Sequence, residues 1–326
     1  MRVTENSNYD GVRESVRRSK EKMEGLQRQS STLKKLNAPS DDPVGAAKIL
    51  EMRTDKVNND QYQNNAKLAE TFLNNSEQAL GELSDIVVRA KEIAIGQASG
   101  ASANDETRMG VAEEVTNLIS QAVSAGNTKI ADRFLFGGYK TQTPPIDPDG
   151  KYRGDDGQTM VEVAKDVFIS MNVPGHEAFN TNPKSPNAYT PHSVDGKNRA
   201  PASPNAGGDE AATAENVNVF DELQNLRIGL LTGDMEGIRG TLDRFDQIHS
   251  KLISVRAKVG SRIQGLNNSS QSIERHNITN AQLSSTLEDA DMAQVVSDLA
   301  KEETVFRSSL ATSQKLLQPS LMDFLK

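Results

Sequence analysis

Apolar residues recur at alternating steps of four and three at both ends of this chain, and the middle lacks that pattern. Near the N-terminus the series is Val12, Val16, Ser19, Met23, Leu26, Ser30 and Leu33. Near the C-terminus it is Val296, Leu299, Glu303, Phe306, Leu310, Ser313 and Leu317. Such a series is the a/d seam of a helix that packs on another helix rather than into a broad core. Burying one Leu or Val contributes about 1.5–3 kcal/mol, whereas ordering each backbone residue costs about 1–2 kcal/mol. A lone helix with one apolar residue in three or four, interrupted by Ser19, Ser30, Glu303 and Ser313, gains little by itself. The pattern therefore predicts that residues before about Leu36 and after about Val295 are disordered in the monomer and become ordered between subunits.

Three further stripes predict the rest of a helical body. The longest runs through Tyr62, Ala66, Ala69, Leu73, Ser76, Leu80, Leu83, Val87, Ala90 and Ala94. As a helix it would span roughly 50 Å. Another follows a polar turn at Gly96 to Asp105 and contains Val111, Val115, Leu118, Ala122 and Ala125. The third passes through Phe245, Leu252, Val255, Val259, Ile263, Leu266 and Ile273, after a glycine-broken stretch that starts near Val217. Asn37-Ala38-Pro39 ends the first helix, near Leu36. Ser40, Asp41, Asp42 and Pro43 then form a helix-cap turn, in which Ser and Asp side chains accept from orphan backbone N–H groups and proline fits the first helical turn.

Between Pro144 and Pro204 lie nine of the twelve prolines, and helical spacing is lost. Lys151 to Arg153, Met160 to Ala164 and Val167 to Val173 read as short strands, with Gly154 to Gly157 as a hairpin turn between two of them. Asn180 to Gly208 reads as a long loop. The predicted fold is mainly α with an inserted β-rich module, an elongated antiparallel helical rod built from N- and C-terminal halves. Its expected divisions are an N-terminal assembly segment at 1–43 and the N-terminal half of the rod at 44–138. An inserted outer domain at 139–215, the C-terminal half at 216–290 and a C-terminal assembly segment at 291–326 complete it.

Composition narrows the functional classes. The chain of 326 residues is only 35% hydrophobic and 4% aromatic, which suits elongated helical packing better than a compact enzyme body. A net charge of −8 argues against general affinity for nucleic acid, and the basic residues of the first forty read as the solvated flanks of the seam. No cysteine is present, which removes disulfides, thiolate catalysis and cysteine-ligated metals. No apolar run approaches the ~18 residues of a membrane span. The first ten residues carry no apolar core of a cleaved signal, so composition points to the cytoplasm unless export ignores such signals.

Catalytic and metal chemistry finds little support. Asp41 and Asp42 are adjacent on a turn, and capping explains them better than an acid/base or metal pair. The Gly-Asp-Asp-Gly run lacks the ligand spacing and closing Glu of a calcium loop. His176, His192, His249 and His276 have no metal-ligand spacing. An enzyme housed in the insert would need two carboxylates across a cleft, and Asp155, Asp156, Glu162 and Asp166 are the clustered candidates. No catalytic residue, cofactor or metal is expected.

The turn Asn37-Ala38-Pro39-Ser40-Asp41-Asp42-Pro43-Val44-Gly45-Ala46-Ala47 resembles the N-terminal motif of the flagellin superfamily, in the form found among its hook-associated members. Three further segments are similar to those members rather than to flagellin. They are Arg133 to Gly138 with Pro144-Pro145, then Tyr152 to Gly157 with Asn172-Val173-Pro174-Gly175. The third is Glu288 to Asp291 with Ser320 to Leu325. Asn180 to Gly208 has no counterpart. Leu33 stands where the family usually has glycine, so a kink at that point is expected to be absent. Pro319 interrupts the last helix just before its closing motif.

The resemblance implies a structural adaptor at the hook–filament junction of the bacterial flagellum, with flagellin itself as the alternative. It implies export through the flagellar type III apparatus on an uncleaved signal, with an export chaperone holding the C-terminal helix. It also implies a ring of copies on hook-associated protein 1, presenting a surface to flagellin. Subunit contacts are then expected through Val12, Val16, Met23, Leu26, Leu33, Val296, Leu299, Phe306, Leu310 and Leu317.

Overall fold

A computed structural model of the chain describes residues 5–99, 104–181 and 217–317. In chain order the elements are α1 (Glu5–Thr32), α2 (Pro43–Ala98), α3 (Asp105–Gly126), β1 (Lys129–Ile130), β2 (Arg133–Phe134), β3 (Met160–Ala164), β4 (Val167–Ser170), α4 (Gly175–Phe179), α5 (Val219–Thr232), α6 (Met235–Glu288) and α7 (Met292–Leu317). The fold is mainly α with a small β-rich insertion, as the spacing predicts. Two compact units result, one of residues 1–60 and 274–326 and one of residues 61–273. Their boundaries fall inside α2 and α6 rather than at the turns near residues 43 and 290.

The central unit holds one continuous core. Ala66, Ala69, Leu73, Ser76, Leu80, Leu83, Val87, Ala90 and Ala94 are all buried, so the predicted stripe is the inward face of α2. Ser76 escapes the penalty of a buried hydroxyl by donating to the Phe72 carbonyl one turn back (2.8 Å). Polar contacts give the helix directions within this unit. Glu77 meets Arg256 (2.6 Å), Ser84 meets His249 (3.3 Å), Lys91 pairs with Asp246, and Arg239 reaches the Ala98 carbonyl (3.2 Å). Numbers rise on α2 as they fall on α6, so the two run antiparallel. Helix α3 is tied to α2 by Arg89 and Glu114 (2.7 Å) and packs on α5.

The α5–α6 break takes two residues. Gly233 adopts the left-handed conformation (φ 73°) that ends α5. Asp234 then accepts from the N–H groups of Glu236 (3.1 Å) and Gly237 (3.0 Å) to start α6.

The inserted module differs from expectation in its turns. Strands β3 and β4 form an antiparallel hairpin, Met160 opposite Ser170 and Ala164 opposite Val167. The reversal lies at Lys165-Asp166, with Asp166 left-handed (φ 61°), and the hairpin turn expected at Gly154 to Gly157, ahead of β3, does not form. Within Lys151 to Arg153 only Tyr152 makes a bridge, to Ile146, and the last strand stops at Ser170 instead of Val173. Gly154 to Gly157 is instead a loop wrapped on Asp155. That carboxylate accepts from the N–H groups of Tyr139 (2.6 Å) and Gly157 (2.9 Å). The short helix α4 was not evident from sequence, because five residues are too few to show a period.

Aromatic contacts fasten the module to the helices. Phe179 meets Phe136 (5.1 Å) and Phe220 (5.3 Å) edge-on, with Tyr152 at 6.3 Å. The Tyr152 hydroxyl donates to the Phe136 carbonyl (2.8 Å) and accepts from Gly175 N–H (3.2 Å), and its burial pushes its pKa up. Asn180 and Asn218 bridge each other where the segment 182–216 leaves and returns, joined side chain to side chain (2.7 Å). Most of the predicted loop Asn180 to Gly208 lies outside the described residues.

Gly138 offers a sharp test of this packing. Its φ is 70°, and an added Cβ would lie 2.2 Å from the backbone oxygen of Asp155. Gly138→Ala should destabilise the central unit by about 2–4 kcal/mol, since both backbone strain and a backbone clash are imposed. Urea unfolding followed by tyrosine fluorescence measures it.

Candidate assembly interface

The terminal unit contains the predicted seams, and in the single chain they meet each other. Helices α1 and α7 pack together, which differs from the expectation that both ends lack order without neighbouring subunits. Val12, Val16, Met23 and Leu26 are half-buried along α1, and Ser19 is only 5% exposed. Ser19 donates to the Glu302 carboxylate of α7 (2.8 Å). A polar pair inside an otherwise apolar seam lowers stability but fixes register, because a slip would leave both groups unpaired.

On α7 the covered face is not the predicted one throughout. Met292, Val295, Leu299, Glu302, Phe306, Ser309 and Ser313 are the shielded positions, again at steps of three and four. Leu299, Phe306 and Ser313 belong to both stripes. Val296 is 54% exposed and Leu310 41% exposed, with Val305 also open, so the predicted stripe is half inside and half outside. Leu317 ends the helix, and its side chain lies outside the described residues, as do Pro319 and the closing motif at 320–325.

The first helix stops earlier than predicted, at Thr32. Leu33 then takes a left-handed backbone (φ 59°), so the kink expected to be absent is present without glycine. That conformation costs a non-glycine residue roughly 1–2 kcal/mol. From there two linkers run together. Lys34 bridges Asp289 in antiparallel fashion, Lys35 N–H donates to the Glu288 carbonyl (2.7 Å), and Ala290 N–H donates to the Leu33 carbonyl (3.1 Å). The shielded Glu288 carboxylate accepts from Lys34 Nζ (2.5 Å) and Arg53 Nη2 (2.6 Å). One carboxylate thus joins the α1–α2 linker, α2 and the end of α6.

The cap turn completes the clasp. Asp42 accepts from Val44 N–H (3.1 Å) and Gly45 N–H (3.0 Å), and Pro43 is the first residue of α2. Asp41 turns the other way and accepts from Ala38 N–H (2.9 Å) and Asn37 N–H (3.1 Å). Those N–H groups hold its pKa below the ordinary value. Ser40 lies exposed in the same turn. On the far linker Asp291 caps α7 through Ala293 N–H (2.9 Å) and Gln294 N–H (3.3 Å). Asp42→Ala should cost about 0.5–2 kcal/mol, the usual loss for a helix cap, and raise amide exchange first at Val44 and Gly45.

Other apolar residues of this unit are also open, notably Val44, Leu50 and Val57 on α2. Leu50 and Val57 are seven residues apart and share a face of that helix. Two of the insert's clustered acidic residues serve local roles. Asp155 is held by backbone N–H groups, and Glu162 accepts from Asp166 N–H at the hairpin turn (3.2 Å). His249 contacts Ser84, and His276 contacts Asn59 and Asn280. His176 lies in α4, and His192 is outside the described residues. No helix among those described is long and apolar enough to cross a membrane.

A family model described as the bacterial flagellin N-terminal helical region matches residues 3–141. Flagellar hook-associated protein 3 of Escherichia coli (strain K12) is 26% identical over 293 residues, 86% of each chain. A flagellin of Listeria innocua serovar 6a is 23% identical over 311 residues, covering 95% of this chain and 94% of its own. Among solved structures, flagellar hook-associated protein 3 from Legionella pneumophila has the same fold, with a TM-score of 0.58 at 17% identity. It covers 73% of this chain and 98% of its own. The match of the N-terminal helical region, the relatives that align along most of both chains, and the shared fold make this chain similar to members of the flagellin superfamily.

Proposed function

We propose that this chain is a structural adaptor of the bacterial flagellum, seated at the junction between hook-associated protein 1 and the flagellin filament. The observation that carries the reading is the two-faced helix α7. One stripe is covered by α1, while Val296, Val305 and Leu310 lie open beside it. A neighbouring copy that covered Val296 and Leu310 would gain about 1 kcal/mol from each half-exposed side chain. Repeated around a ring, such contacts join copies laterally, and Ser19 with Glu302 keeps each helix pair in register. Val12, Val16, Met23, Leu26, Leu299 and Phe306 support the pair from inside. Similarity to hook-associated protein 3 along most of both chains supports a junction position.

The same reading gives the chain an uncleaved route out through the flagellar type III apparatus. An export chaperone would hold the C-terminal helix until then, shielding the apolar edge that α1 and neighbouring copies later cover. The role is structural, without a catalytic site. Immunogold labelling of intact flagella tests the position. A single band where hook meets filament is expected; label along the whole filament would favour flagellin, the second reading, which the long alignment with the Listeria protein keeps in view.

A further inference from the structure

At Leu33 the local sequence and the tertiary structure disagree. Its spacing from Met23, Leu26 and Ser30 continues the α1 stripe, and nothing breaks a helix before Asn37-Ala38-Pro39. The helix nonetheless stops at Thr32, about one turn short. Leu33 takes φ 59° there, and its side chain is left 58% exposed. Leucine is disfavoured about tenfold in that conformation relative to a helical one. Ala131 and Asp166, the other left-handed residues besides glycine, turn tight hairpins. Gly233 ends α5 in the same conformation without a side chain to oppose it.

The contacts that draw this turn out of the helix come from the end of α6 and the linker after it. Ala290 N–H donates to the Leu33 carbonyl (3.1 Å), and Lys35 N–H donates to the Glu288 carbonyl (2.7 Å). Lys34 bridges Asp289 through its backbone, and its Nζ donates to the Glu288 carboxylate (2.5 Å). Within the linker itself, Asn37 Nδ2 donates to the Lys34 carbonyl (2.9 Å), a three-residue contact that a helical turn also allows. Without the α6–α7 linker, the N–H groups of Leu33 to Leu36 would return to the carbonyls of Gln29 to Thr32, the orphan acceptors at the end of α1. Spacing selects one state of residues 33–36, and a distant segment selects the other.

We infer that residues 33–36 are a switch: they extend α1 by one turn while the α6–α7 linker is away, and unwind to bridge Asp289 when it docks. Glu288 is the latch, because one oxygen of its carboxylate accepts from both Lys34 and Arg53. The device couples the two ends of the chain, since the path from α1 to α2 follows whether the C-terminal linker is in place. It stands apart from the position in the flagellum proposed above.

The test uses the full chain labelled with carbon-13 at leucine and lysine, and reads backbone carbon shifts from Leu33 to Leu36. The wild type should show an extended shift at Lys34. Glu288→Gln keeps the shape of the latch but removes its charge, and should give helical shifts from Leu33 to Leu36. Leu33→Ile leaves every charge in place but resists a left-handed backbone, and should move the shifts the same way. Combining Leu33→Gly with Glu288→Gln should return the population about tenfold toward the extended state, because glycine takes that backbone freely. Helical shifts in the wild type, or extended or coil shifts at Lys34 to Leu36 in either single variant, overturn the inference. A double variant that stays as helical as Glu288→Gln alone overturns it too.

Discussion

Leu299→Asp should abolish incorporation of the chain into flagella while leaving the central unit folded. Leu299 sits on the face of α7 that meets α1, and it belongs to both apolar stripes of that helix. The substitution removes an apolar contact and brings a carboxylate toward the seam, at a cost of about 2–4 kcal/mol. What makes this decisive is how little else the terminal unit has. Among its described apolar side chains only Ile49 and Val295 are fully shielded, against a continuous core in the central unit. A loss of that size is comparable to the stability such a unit can have. Circular dichroism during thermal unfolding should show the early part of the transition lost and the later part unchanged. Swimming should cease. Equal loss of both parts would mean that the central unit depends on the α1–α7 pair.

Phe220→Ala should strike the other unit. Phe220 is fully shielded, and its ring meets Phe179 at 5.3 Å. Truncation removes an aromatic from a packed interior, with a cost of about 3–5 kcal/mol. For a unit of this size that corresponds to a fall in Tm on the order of 10 °C. The effect should fall on the later part of the transition. Because Phe179 joins the ring contacts of Phe136 and Tyr152, the β-rich insertion should loosen with the helices. Amide exchange at Gly175, whose N–H donates to the Phe136 carbonyl (2.9 Å), would report it. Unchanged exchange there would mean that the insertion holds itself together.

How far these features could be read from sequence depends on how local their causes are. Asp42 and Pro43 were legible as a helix start because capping involves neighbours two and three residues away. The inward face of α2 was legible because ten apolar or small positions keep one period over nine turns, far longer than chance would sustain. The hairpin turn expected at Gly154 to Gly157 does not form although the run has the composition of a turn, because nothing local says that its Asp155 is held by Tyr139, sixteen residues away. Leu33 was misread for a related reason. Its left-handed backbone is maintained by the pairing of Lys34 with Asp289, a partner distant in the chain.

Sequence periodicity by itself determined which stretches are helical, where most of them stop and which face of each long helix is apolar, since those follow from spacing and from caps. It could not choose between the two stripes of α7, because Leu299 and Phe306 lie on both and a rotation of one position exchanges them. Tertiary structure made that choice: Ser19 needs Glu302 as its partner, and that pairing turns Val295 inward and leaves Val296 open. A buried polar group has one acceptable orientation, whereas an apolar stripe tolerates several, so the contact between distant segments decided which surface remains for assembly.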